Sequence, residues 1–163
     1  MSSSPSTTWG RVLGLGAVAG SRAMTAPALL SYATVYGYVE ELEATPFAAL
    51  GSRKVLGVLG LLAGGELVVD KLGILGSRLA PRGLTLRVVS GALVGATLAR
   101  TEDRSTTVGA VLGALAAVAA AHAAYHLRTA GGEKLGVPDR ALAVVEDAVA
   151  VSLGLAVLRA PSR

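Results

Sequence analysis

Apolar residues in this chain gather into five long stretches, and nowhere do they alternate with polar ones over a strand's length. Segment one runs from Val12 to Val39, interrupted by Arg22 and Pro27. Segment two covers Phe47 to Leu72 and closes on Glu66, Asp70 and Lys71. Segment three, Leu84 to Ala99, carries Arg87 in its first turn. Segment four, Ser105 to Leu127, has no formal charge and exceeds the roughly 20 residues that cross a bilayer core. Segment five, Ala141 to Leu158, is apolar apart from Glu146, Asp147 and Ser152. Stretches of this length predict helices, because a spanning strand needs only about 10 residues and an alternating pattern. Segment four is apolar on every face from Val108 to Ala121, as a lipid-facing or fully buried helix must be. The pattern therefore predicts an all-α integral membrane bundle of about five transmembrane helices. It occupies residues 9–160 as a single domain, after a short disordered Ser/Thr-rich tail at residues 1–8.

Segment one is long for a straight span. Trp9 to Tyr38 would reach about 43 Å as one helix, against a core of roughly 30 Å. Tilt can absorb the excess, and so can a broken helix where Gly20-Ser21-Arg22 approaches Pro27. Glycines four apart (Gly10–Gly14, Gly16–Gly20, Gly60–Gly64, Gly91–Gly95 and Gly109–Gly113) predict thin helices packed at close range. Gly10-Arg-Val-Leu-Gly14 and Gly109-Ala-Val-Leu-Gly113 open segments one and four, a weak repeat that five spans would invert.

Composition sharpens the class. The 163 residues are 52% hydrophobic but only 16% charged, too few charges to solvate a soluble globule of this size. The absence of cysteine excludes disulfide scaffolds, thiolate metal sites and cysteine nucleophiles. A net charge of +4, dispersed along the chain, is no nucleic-acid surface. The N-terminus lacks the basic and cleavage regions of a signal peptide. With five spans, eight Lys/Arg lie on the N-terminal side and six on the other, a slight bias toward a cytoplasmic N-terminus in an inner (plasma) membrane. The trio Glu40, Glu41 and Glu43 would then lie outside. No nucleotide-binding glycine loop and no hydrolase motif is present, so neither an enzyme activity nor a cofactor is expected. The expected surroundings are the lipid bilayer, with a homo-oligomer and a small cation or proton left open as partners.

The chemistry lies in charges at membrane depth. Arg22 is too deep to snorkel, where a lone charge costs about 3 kcal/mol or more. Glu66, Asp70, Glu146 and Asp147 are the carboxylates available to it, with Lys71 beside Asp70. Glu66 and Asp70 share one helix face, while Glu146 and Asp147 point about 100° apart. These six residues are the candidate polar centre. It is either a site for a small cation or proton, or a structural lock in which Arg22 pairs with Glu66 or Glu146. On the first reading, Glu66→Gln and Glu146→Gln should fold while Arg22→Ala should not. His122 and His126, one turn apart, are weak candidates for a metal and would need a third ligand from elsewhere.

Gly20-Ser21-Arg22, Glu66-Leu-Val-Val-Asp70-Lys71 and Glu146-Asp147 resemble the recurring polar positions of a bacterial membrane family catalogued as a domain of unknown function, number four-one-two-six. The family is expected to carry a proline soon after the Asp-Lys pair, where this chain has Leu72-Gly73. The resemblance runs from about Val12 to Leu158. It implies a small multi-pass inner-membrane protein with the same polar centre and names no substrate. Two function classes stay open: a small transporter or channel, and a non-transporting structural, assembly or lipid-organising membrane protein.

Overall fold

Proline at the first helical position, where no backbone donor is missed, opens two of the helices of this chain. The computed structural model describes residues 5–39, 47–71, 81–135 and 139–159. They form α1 (Pro5–Ser21), α2 (Thr25–Val35), α3 (Arg53–Lys71), α4 (Pro81–Thr101), α5 (Thr106–Leu135) and α6 (Asp139–Arg159). A short 3-10 turn, Ala48–Gly51, leads into α3. The described residues are all-helical, with no strand among them. Residues 1–4 of the expected tail lie outside the described residues, and so do Glu40, Glu41 and Glu43. Residues 5–8 are not tail, because α1 already includes them and Thr8 is fully buried.

Segment one is neither a tilted span nor a helix that resumes in the same direction. Gly154 of α6 lies against both Val18 of α1 and Leu29 of α2. Those two residues would be about 16 Å apart along one straight helix. The chain therefore doubles back at residues 22–24, making α1 and α2 a helical hairpin with Arg22 at its tip. Arg11 Nε donates to the Val157 carbonyl at 3.2 Å, so the start of α1 and the end of α6 share one end of the bundle. An odd number of spans would separate them, and the eight-to-six charge partition fails with it. α2 ends in a Schellman motif, where the N–H of Tyr38 donates to Ala33 and that of Gly37 to Thr34. Gly37 sits at φ +74°, the left-handed position this motif needs. Ser31 Oγ then donates to the Leu50 carbonyl at 2.6 Å and fastens α2 to the turn before α3.

Glycines let α1, α4 and α5 approach backbone to backbone. A Cβ placed on Gly91, Gly95, Gly109 or Gly113 would fall within 3.0 Å of a carbonyl oxygen across the α4–α5 crossing. Gly16 and Gly20 meet the backbone of α5 at Gly113 and Ala117 in the same way. Contacts this close let Cα–H groups face carbonyl oxygens. The inward stripe of α5 is Gly109, Gly113, Ala117 and Ala121, all small and all buried. Three of the five predicted glycine pairs, 16–20, 91–95 and 109–113, thus lie at helix crossings. Gly60 and Gly64 of α3 face open space together with Gly57 and Gly65. Gly10 is also open while Gly109 is tightly packed, so the two ends of the weak repeat occupy unlike settings.

Gly95→Ala and Gly113→Ala are each expected to lower stability by about 1–3 kcal/mol, as overpacking does. Gly60→Ala should be neutral or stabilising by up to about 1 kcal/mol, through helix propensity alone. Equilibrium unfolding of the purified variants checks the contrast, and equal effects at all three positions would refute it.

Candidate polar centre

At the hairpin tip, side chains from other helices meet backbone groups that lack an intrahelical partner. The N–H groups of Ala23 and Met24 precede α2 and have no intrahelical acceptor. They donate to Glu66 Oε1 and Oε2 of α3 at 2.9 and 2.8 Å. A carboxylate here also opposes the positive end of α2. Pro27, in the first turn of α2, has no N–H to offer the Ala23 carbonyl four residues back. Ser90 Oγ of α4 supplies the missing donor at 2.5 Å. Pro27 is therefore no breaker itself; the break precedes it and leaves a carbonyl that α4 satisfies.

Arg22, 1% exposed, occupies the centre of the tip. Its Nη2 lies 2.9 Å from Asp70 Oδ2 and 2.5 Å from Asp147 Oδ1. Its Nε donates to the same Asp147 oxygen at 2.6 Å. Asp70 and Asp147 come from α3 and α6, so one guanidinium ties three elements together. Arg128 of α5 lies 3.5 Å from Asp70 and 3.8 Å from Glu146, extending the network to a fourth helix. The predicted Arg22, Glu66, Asp70, Glu146 and Asp147 are thus gathered at one place. The pairing differs from expectation: Arg22 meets the two aspartates, Glu66 caps α2, and Glu146 faces Arg128. Lys71 ends α3, but its side chain lies outside what the structure describes.

Arg128 and Ser90 were not anticipated. For Arg128 a signal existed, because it falls on the continuation of the inward stripe through Gly113, Ala117, Ala121 and Ala124. Arg87, buried one turn before Ser90, adds a further guanidinium on this side of α4. A second polar cluster at the opposite end was also missed. There Glu102 accepts from Arg11 and, at 2.5 Å, from Thr8 Oγ1, joining α1 to the α4–α5 turn. His122 and His126 lie on the exposed side of α5, the first bonded through Nδ1 to the Val118 carbonyl at 2.9 Å. Among the described residues, no three His, Asp or Glu side chains are grouped to hold a metal ion.

A cavity of about 380 Å³ opens beside the centre, between α5 and α6 and floored by α1. Alanine, valine and leucine line most of it, and Ser21, Arg128 and Glu146 stand at its polar end.

The model of a family described as Domain of unknown function (DUF4126) matches residues 10–163, and the chain belongs to that family. No curated protein and no solved structure matches it.

Arg22→Ala removes the guanidinium that Asp70 and Asp147 share and is expected to destabilise by about 3–5 kcal/mol. Lysine at position 22 should not rescue it, since one ammonium cannot reproduce the forked contacts of a guanidinium. The cap makes Glu66→Gln costly as well, because an amide offers one acceptor to two N–H groups. A loss of about 1–3 kcal/mol is expected there. Ranked unfolding midpoints test this, with Glu146→Gln above Glu66→Gln and Glu66→Gln above Arg22→Ala. Both glutamine variants are still expected to fold, and the cap adds a difference in stability between them.

Proposed function

We propose that this member of the DUF4126 family is a small multi-pass protein of the inner (plasma) membrane that moves a proton or small cation through the Arg22 centre. Two helices, Thr106–Ala130 and Ala141–Arg159, are long and apolar enough to cross a bilayer. Only 22% of each is buried, unlike the core helix of a soluble protein. Their outward residues include Leu115, Leu127 and Val145, and on α3 Leu61 is 78% exposed. Water would be a poor solvent for such a surface and lipid a good one. Tyr36 and Tyr38, exposed beyond the end of α2, suit a membrane interface.

The carrying observation is the gathering of carboxylates at the tip. Among the described residues, Glu66, Asp70, Glu146 and Asp147 lie together around Arg22 and Arg128. Carboxylates at membrane depth are candidates for holding a proton or cation in transit. Glu146 is the carboxylate that lines the cavity, so it is the point of entry. Arg128 is shared between Glu146 and Asp70, and neutralising Glu146 would release it toward Asp70. Counted along α6, Glu146 lies about 8 Å inside the apolar stretch that begins at Ala141.

The ion pairs of Arg22 and the cap by Glu66 favour a second reading, in which the charges only lock the bundle. Proteoliposomes separate the two. Wild type should dissipate an imposed pH or cation gradient, and Glu146→Gln should reduce the rate at least about tenfold, equivalent to ~1.4 kcal/mol, while keeping its fold. Wild-type flux no faster than empty liposomes would leave the structural lock as the function.

A further inference from the structure

The outward side of α5 carries two polar side chains that the Arg22 centre does not use. His122 and His126 are both exposed and stand four residues apart, which sets their Cβ atoms about 6 Å apart on one face. The inward stripe of α5, ending on Arg128, runs about 150° away around the helix.

Each imidazole has a contact that holds its ring. His122 Nδ1 lies 2.9 Å from the Val118 carbonyl oxygen, which can only accept, so Nδ1 carries the proton. In the neutral ring the lone pair then belongs to Nε2, the nitrogen farther from the backbone. A carbonyl behind one ring nitrogen is how proteins orient a histidine toward a metal at the other. The His126 ring stands edge-on to Tyr125, with centroids 5.4 Å apart and planes at 77°.

The pair lies where an ion in water can reach it. α5 has 30 residues, about 45 Å of helix, against a bilayer core of about 30 Å. Counted from Thr106, about 20 residues fill the core and end at Tyr125, an aromatic suited to the interface. His126 is then at the edge of the core and His122 one turn inside. This placement rests on the reading above only in that α5 crosses the bilayer.

Two nitrogen donors within one turn select the chemistry of the ligand. Magnesium and calcium take oxygen, whereas imidazole suits zinc, nickel and copper. We propose that His122 and His126 chelate one divalent transition-metal ion of this class per chain, His122 through Nε2. Water fills the remaining positions, as in an open site, so the third protein ligand of a closed one is not needed.

The test uses the full chain, without a histidine tag, in phosphatidylcholine bicelles. Ni(II) is equilibrated by dialysis, with empty bicelles as the blank, and bound metal is counted against protein. Wild type should bind one ion per chain saturably. Zn(II) should compete, and excess Mg(II) should not. His122→Ala and His126→Ala should each weaken binding at least about tenfold. The double variant His122→Ala/Ala119→His keeps two imidazoles on exposed positions but sets them seven residues, about 10 Å, apart. It should bind as weakly as the single variants, with the same helix content by circular dichroism. Glu146→Gln should bind as wild type does. Wild-type binding no tighter than that of His122→Ala, or a spaced variant equal to wild type, would overturn the chelate. Displacement by Mg(II), or loss of binding in Glu146→Gln, would assign the ion to carboxylates and also overturn it. One ion per two chains would overturn the single-chain site. The outcome is independent of flux, so the metal pair and the transport reading stand or fall separately.

Discussion

A buried guanidinium at the tip of a helical hairpin is the constraint on which the rest of this structure depends. Arg22 cannot stay in an apolar interior without opposite charge, and it has none within α1 or α2. The carboxylates must come from elsewhere, and they come from α3 and α6. This requirement fixes where the ends of two otherwise apolar helices sit. It also explains why α3 and α6 keep acidic residues in helices that expose aliphatic side chains such as Leu61, Val68, Val145 and Val149.

The hairpin itself is possible because other helices answer backbone groups that its tip exposes. Reversing a helix exposes N–H groups at the start of the next one and carbonyls at the end of the last, and in a nonpolar setting each would cost several kcal/mol. Glu66 takes two of the donors and Ser90 supplies the donor that Pro27 lacks. Glycine does the complementary work beneath the tip. Gly16 and Gly20 bring α1 against the backbone of α5, and the four crossing glycines of α4 and α5 draw that pair together. With side chains this small in the crossings, the interior offers little space for the long Arg22 side chain except at the tip.

Much of the architecture was legible in the pattern of apolar runs, because an unbroken apolar stretch can only be a helix at these lengths. Segments three, four and five correspond to α4, α5 and α6 with ends moved by about three residues or fewer, except that α5 runs on from Leu127 to Leu135. The polar centre was legible for the same reason: charges in such stretches are few, and opposite signs must meet. Direction was not legible. A Gly-Ser-Arg break before a proline reads alike whether the chain bends, resumes or doubles back, and only the packing of Gly154 against Val18 and Leu29 decides it. Glu66 could not be told from an ion-pairing carboxylate, since a cap on another helix leaves no local spacing. The Arg11–Glu102 contact was hidden as well, both residues reading as charges beyond the ends of apolar runs.

The doubling back of the chain, held by Arg22, is the claim with the most direct test, and the absence of cysteine makes it clean. In the double variant Leu29→Cys/Gly154→Cys, mild oxidation should join α2 to α6, because these positions touch. The same pair in an Arg22→Ala background should cross-link far more slowly, with the tip no longer anchored. No cross-link in the Arg22-containing protein would contradict the hairpin, and equal cross-linking in both backgrounds would contradict the role of Arg22.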